Sequence, residues 1–216
     1  MAQWRHKRQS LNPCPLPRKG RPSLPDMKAG PMPSPLDDLL QRAEHYAEFA
    51  MRQMGRVPPA MMAHSPGGLL FFMPEKMGDE RAKDNFANAA RLITLAHDAS
   101  AVVMVLEAWM KVAAPGETLD PKEPPSEALD RREVVVLAGE TREAKKQKFL
   151  PIIRTDAGDF FGFGESDVPQ FDNFQGRFTE ILAPHPPAQA MQAKARLLLK
   201  AMGITDSDLQ GEARWS

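Results

Sequence analysis

Ala101-Val102-Val103-Met104-Val105-Leu106 and, further on, Glu133-Val134-Val135-Val136-Leu137 decide the architecture. Both are continuous apolar runs rich in β-branched residues, as strands covered on both faces require. They read as strands over 101–112 and 131–141. The chain between them holds Pro115, Gly116, Pro121, Pro124 and Pro125, so it is read as a long loop over 114–130 with no helix in it. Successive strands without a helical crossover favour antiparallel pairing.

Working outward, residues 147–154 read as a third strand, with Phe149, Ile152 and Ile153. Pro151 within it marks an edge position or a bulge. The turn Asp156-Ala157-Gly158-Asp159 leads to Phe160–Phe163, which completes a hairpin. Leu69-Leu70-Phe71-Phe72-Met73 lies between Gly67-Gly68 and Pro74 and reads as a buried strand, whereas Val57-Pro58-Pro59 reads as a linker. Residues 178–182 suggest a short final element.

Three segments have helical spacing. In 35–54, Leu36, Leu39, Leu40, Ala43, Ala47 and Ala50 recur on one side. Ser34 is its N-cap, Pro35 suits the first helical position, and Gly55 ends it. In 79–97 the apolar face is Ala82, Phe86, Ala89, Ala90, Ile93 and Ala96, and His97 at the end is placed for an imidazolium to meet the helix dipole. The last helix covers 188–202 and stops at Gly203. The order predicts an α+β domain over 35–205, with a mostly antiparallel sheet of about five strands and helices packed on one face. Residues 206–216 are expected to be flexible.

The N-terminus differs from this body. Residues 1–35 hold eight prolines, and seven basic residues against Asp26 alone give them a charge of +6 in a chain of zero net charge. Residues 1–34 are read as a disordered basic tail. An upstream start codon accounts for it equally well, with Met27 and Met32 as the alternative starts. Such a tail has weak, salt-dependent, sequence-independent affinity for nucleic acid, and Trp4 is its single aromatic residue.

Composition bounds the chemistry. The single cysteine, Cys14, excludes an intramolecular disulfide and a cysteine zinc site. No apolar run approaches the roughly 20 residues of a membrane span, and no apolar segment follows the first basic residues, so neither a membrane nor secretion is expected. The expected setting is the cytoplasm. Gly162-Phe163-Gly164 lacks the third glycine and following helix of a dinucleotide fingerprint. The five histidines form no ligand pair at helical spacing, and no serine stands in a nucleophile elbow. No cofactor and no metal are expected.

Two sets of candidate site residues remain. Glu107 ends a strongly apolar run, and Glu133 and Glu140 flank the next strand. Two carboxylates brought together there would split their pKa values, as acid–base pairs do. Glu143-Ala144-Lys145 after a strand resembles the E-x-K of metal-dependent nucleases, in which carboxylates hold Mg²⁺ and the lysine polarises water. The upstream acid is then Glu107 or Asp130, and Glu133 joins the group. The second set is aromatic. Phe161 and Phe163 belong to an aromatic-rich stretch with Phe160, Phe171, Phe174 and Phe178, and those that are exposed would mark a protein-binding patch; Trp109 is a separate binding candidate.

The motifs Pro35-Leu36-Asp37-Asp38-Leu39-Leu40, Ala43-Glu44-His45-Tyr46, Gly67-Gly68-Leu69-Leu70-Phe71-Phe72 and Val105-Leu106-Glu107-Ala108-Trp109 resemble a family of uncharacterised bacterial proteins. That family is associated with proteobacterial chromosomes, plasmids and integrated elements. The resemblance continues through Pro124-Pro125-Ser126-Glu127, Asp130-Arg131-Arg132-Glu133 and Phe160-Phe161-Gly162-Phe163-Gly164 to about residue 205 and omits the tail. It implies a bacterial, cytoplasmic setting and supplies no catalytic residues. The function expected is therefore binding or regulation through a protein partner, as an accessory of a mobile element. The alternatives are a metal-dependent nuclease or hydrolase, and weak nucleic-acid binding by the tail.

Overall fold

The structure is a computed structural model and describes residues 34–111, 127–128, 131–166 and 176–209. The basic tail, most of the loop 114–130, Phe171, Phe174 and residues 210–216 lie outside the described residues. Within them the elements run α1 (Pro35–Met54), β1 (Ala60–Ser65), β2 (Gly68–Phe72), α2 (Glu80–Ala96), β3 (Ala101–Met110), β4 (Arg132–Thr141), β5 (Lys145–Arg154), β6 (Phe160–Phe163) and α3 (Gln189–Ala201). A short 3₁₀ turn (Asp206–Leu209) follows. The six strands form one sheet in the order β2-β1-β3-β4-β5-β6, antiparallel throughout. The fold class is α+β, as the sequence predicts.

The helices divide between the two faces of the sheet instead of sharing one. On the first face α1 sets Leu36, Leu39, Ala43 and Ala47 against Met62, Val103, Val105, Val135 and Leu137. On the second face, α2 and α3 cover Met61, Ala63, Val102 and Met104 with Phe86, Ile93 and Leu199. The continuous apolar runs explain this. Alternate residues of β1 and β3 point to opposite faces, and both sets are apolar, so each face needs its own cover.

Four local expectations are corrected. β1 was not legible, because Ala60-Met61-Met62-Ala63 contains no β-branched residue; its place between β2 and β3 makes it a strand. Pro151 is not on an edge strand, since β5 pairs with both β4 and β6, but the other alternative has a counterpart close by, because the β5–β6 register shifts between Ile153 and Arg154. Its carbonyl accepts from Gly164 N at 2.8 Å. One residue's N and C=O point to the same side of a strand, so the missing N–H faces the last position of the β5–β6 ladder. Residues 206–209 are not a free end: Leu209 is buried in the second core, and Asp208 Oδ2 accepts from Thr205 N at 2.7 Å. His97 caps α2 through its backbone, but burial pushes its imidazole pKa down, so the neutral ring is favoured over the imidazolium.

α1 is held as its sequence implies. Ser34 Oγ accepts from Asp37 N at 3.2 Å, and Gly55, at φ 67°, closes the helix in the left-handed conformation. Lys146 Nζ meets Asp37 at 2.6 Å, Lys148 Nζ meets Glu44 at 2.7 Å, and His64 Nε2 meets Asp38 at 3.0 Å. The hydrogen bond from Lys146 holds the Asp37 carboxyl below the usual range, and Arg42 does the same for Asp38. These pairs fix register more than they stabilise, because all are partly exposed.

Close approach of α1 to the sheet depends on Gly139. A Cβ there would stand 2.8 Å from Leu36 Cδ1 and 3.3 Å from Val103 Cγ2. Gly139→Val is expected to destabilise the protein by about 1–3 kcal/mol through overpacking, read as a lowered urea midpoint. An unchanged midpoint would mean that α1 can lift from β4 without cost.

Candidate functional site

β3 and β4 pair as the sequence suggests, and the acids can be placed. Trp109 lies opposite Glu133, and Glu107 opposite Val135. Alternation puts Glu107, Trp109 and Glu133 on the first face, in line with Val103 and Val105. There each carboxylate is committed to backbone or cation. Glu107 Oε2 accepts from Val57 N at 2.7 Å. Glu133 receives a two-pronged contact from Arg154, with Nε and Nη2 each at 2.7 Å. Arg154 also donates to Gly158 O and Gly55 O, and the Glu133 carboxylate raises its guanidinium pKa. The cluster ties the α1–β1 connection and the β5–β6 turn to the sheet.

Glu143 and Lys145 do not join it. Glu143 sits in the turn between β4 and β5, and Lys145 opens β5 opposite Glu140. Most of the length of β4 separates them from Glu133, about 25 Å at about 3.3 Å per residue. The nuclease constellation of Glu107, Glu133, Glu143 and Lys145 is therefore not assembled. Asp130 lies outside the described residues. Among the described residues no three His, Asp or Glu side chains converge as metal ligands would.

Glu140 is not at a solvated strand end. It is 4% exposed on the second face and accepts from the backbone N–H groups of Glu180 and Leu182. Arg91 donates to the carbonyls of Arg177, Thr179 and Glu180, and Thr94 Oγ1 donates to Ile181 O at 2.9 Å. Side chains thus supply the backbone partners of residues 177–182. That is why the short element expected there is neither helix nor strand.

The aromatic candidates separate. Phe163 packs on the first core and meets Phe160 edge-on at 5.1 Å. Phe161 is 71% exposed on β6, and Trp109 is 43% exposed on β3 with the Arg131 guanidinium 4.6 Å from its ring centre. Two strands intervene, a lateral separation of about 14 Å, so Trp109 and Phe161 are not neighbours on one patch. A small cavity of about 350 Å³ lies beside Arg154 and Phe160. Its two guanidinium groups are already paired, Arg52 with Glu48 and Arg154 with Glu133.

One large concavity has no counterpart in the sequence motifs. An open groove of about 1270 Å³ runs between the end of β2, the N-terminal half of α2 and the turn after α3. Phe72, Met73, Phe86, Ala89, Met202 and Ile204 give it apolar walls, and Glu75, Lys76, Asp79 and Arg81 rim it. Local chemistry fixes each wall. Asp79 Oδ1 caps α2 by accepting from Ala82 N at 2.7 Å. Gly203, at φ 80°, turns the chain out of α3 toward the 3₁₀ turn. Arg177 pairs with Glu80 and, at 2.8 Å, with Asp84 on the outer side of α2. The lining includes no Ser, Thr, Cys, His or Tyr. It offers no hydroxyl or thiol nucleophile and no imidazole base, and apolar side chains interleaved with charged ones around an open groove are the make-up of a binding site.

No protein-family model, curated protein or solved structure matches the chain. Fold and site together define an α+β protein with a six-stranded antiparallel sheet and an open groove of mixed apolar and polar lining at one margin. Among the described residues no helix is long and apolar enough to cross a membrane.

Proposed function

We propose that this chain is a non-enzymatic binding protein that receives an apolar segment of a partner protein in the groove between β2, α2 and the turn after α3. The observation that carries this is the lining: apolar side chains, a rim of both charge signs, and no hydroxyl, thiol or imidazole. The setting in this reading is the bacterial cytoplasm, in a regulatory or accessory role. The sequence resemblance to proteins of chromosomes, plasmids and integrated elements supports that setting.

The test is selection of displayed random peptides on the full chain, followed by affinity measurement on Met73→Asp. Met73 is half exposed in the groove wall, and its sulfur accepts from the buried Tyr46 hydroxyl at 3.4 Å, so the melting of the variant is measured beside its binding. Apolar peptides are expected to enrich, and Met73→Asp to weaken them at least tenfold, since burying a carboxylate against an apolar ligand is costly. Peptides that bind Met73→Asp as well as the parent would remove the groove from the proposal. A turnover activity abolished by Glu107→Gln would replace binding with catalysis.

A further inference from the structure

The groove and the end of the described chain meet. Asp208 belongs to the groove lining, and Leu209, the last described residue, is buried in the second core. The 3₁₀ turn that carries both packs against β2. The segment Gln210-Gly211-Glu212-Ala213-Arg214-Trp215-Ser216 therefore leaves from the margin of the groove. Trp215 stands six residues beyond Leu209, a reach of up to about 20 Å. α2 packs on α3, and packed helices lie about 8–10 Å apart, so that reach spans the groove. The walls suit an aromatic guest. Met73, after β2, and Met202, at the end of α3, are 48% and 43% exposed and line it together. Thioethers adapt their shape and make favourable contacts with aromatic rings.

We propose that the chain occupies its own groove: residues 210–216 turn back from Leu209 and seat the Trp215 indole against Met73 and Met202. On the reading of the groove as a binding site, on which this consequence rests, a partner's apolar segment must displace Trp215 to bind. The segment carries one charge of each sign, Glu212 and Arg214. They meet a rim that offers Lys76 and Arg81 to the first and Glu75, Asp79 and Asp208 to the second. The tether selects this occupant over the others. A tether of a few residues presents its end at an effective concentration on the order of millimolar. A second copy supplying the same segment has to reach that concentration to compete. Trp4 is tethered 30 residues before Ser34, and Ser34 opens α1 on the first face, whereas α2 and α3 wall the groove on the second. Trp109 is held on β3 against Arg131.

The experiment uses the full chain with Trp4→Phe and Trp109→Phe, which leaves Trp215 as its one indole. Acrylamide quenching of its fluorescence is compared with that of a synthetic peptide of residues 209–216. Trp215 is expected to be quenched at least threefold less than the peptide, and to return toward the peptide's value in Met73→Asp and in Met202→Asp. Circular dichroism and melting verify the fold of each variant. Apolar peptides selected on the groove are expected to bind Trp215→Ala at least threefold more tightly than the parent, because nothing has to be displaced. Quenching equal to the free peptide's, or shielding that both methionine changes leave intact, overturns the proposal. So does shielding that is lost on dilution together with a dimer in sedimentation, which places the segment in a second copy. Selected peptides that bind Trp215→Ala and the parent alike also overturn it, and leave the groove reading standing. Trp215 shielded in the parent and released by both methionine changes, in a chain that takes up no peptide even as Trp215→Ala, supports the seat of Trp215 and removes the partner reading instead.

Discussion

Glu140→Ala is expected to lower the unfolding free energy by about 1–4 kcal/mol. Two partly buried backbone N–H groups, of Glu180 and Leu182, lose their acceptor together, and a donor orphaned away from water costs about 1–3 kcal/mol. Glu140 is on β4, and the segment it holds completes the cover of the second face through Ile181. The loss should therefore extend beyond the two hydrogen bonds to the packing of Phe178 and Ile181. Glu140→Gln keeps one acceptor oxygen and is expected to fall between the parent and Glu140→Ala. Urea unfolding followed by tryptophan fluorescence and by far-ultraviolet dichroism checks both. A loss under about 1 kcal/mol would mean that residues 177–182 find other acceptors, and that the carboxylate is not their anchor.

Phe86→Ala is expected to cost about 3–5 kcal/mol, the range for deleting a buried aromatic side chain. Phe86 is 2% exposed and stands between Phe72 at 6.0 Å and Phe178 at 5.8 Å, centre to centre. It joins β2, α2 and the 177–182 segment, and it also lines the groove. The variant should both melt earlier and bind groove peptides more weakly, whereas Met73→Asp should weaken binding with a much smaller change in melting, since its core contact is the Tyr46 hydroxyl. Equal melting temperatures for Phe86→Ala and the parent would show that the floor of the groove collapses without penalty.

The sequence was informative where one residue's chemistry acts locally. Ser34, Pro35 and Gly55 bound α1 at the residues expected, and Asp79 does the same for the start of α2. The β-branched runs of β3 and β4 announced an antiparallel pair. What escaped was set by distance along the chain. Nothing near Ala60–Ser65 marks a strand; its partners Phe72 and Val105 do. The role of Glu140 depends on residues 40 and 42 positions away, so its burial could not be read from its place at a strand end. The groove needs β2, α2 and the end of α3 to converge, and no motif records that. Glu107 and Glu133 were rightly singled out as unusual on apolar strands, but their partners, Val57 N and Arg154, make them fasteners of the fold.

The strand order carries a kinetic consequence. β4, β5 and β6 are joined by short turns, so this part of the sheet grows by short closures, while β3 reaches β4 across a long connection and β1 reaches β3 only across α2. Two long closures end on adjacent residues of β4: α1 lands over Gly139, and residues 180–182 land on Glu140. Closing a longer loop costs more chain entropy, so the local meander is expected to form first and these landings last. Interactions made after the transition state act on the rate of leaving the native state. In stopped-flow experiments, Gly139→Val and Glu140→Ala are therefore expected to accelerate unfolding and leave refolding nearly unchanged. Two adjacent residues on opposite faces of one strand would then govern how long the native protein persists.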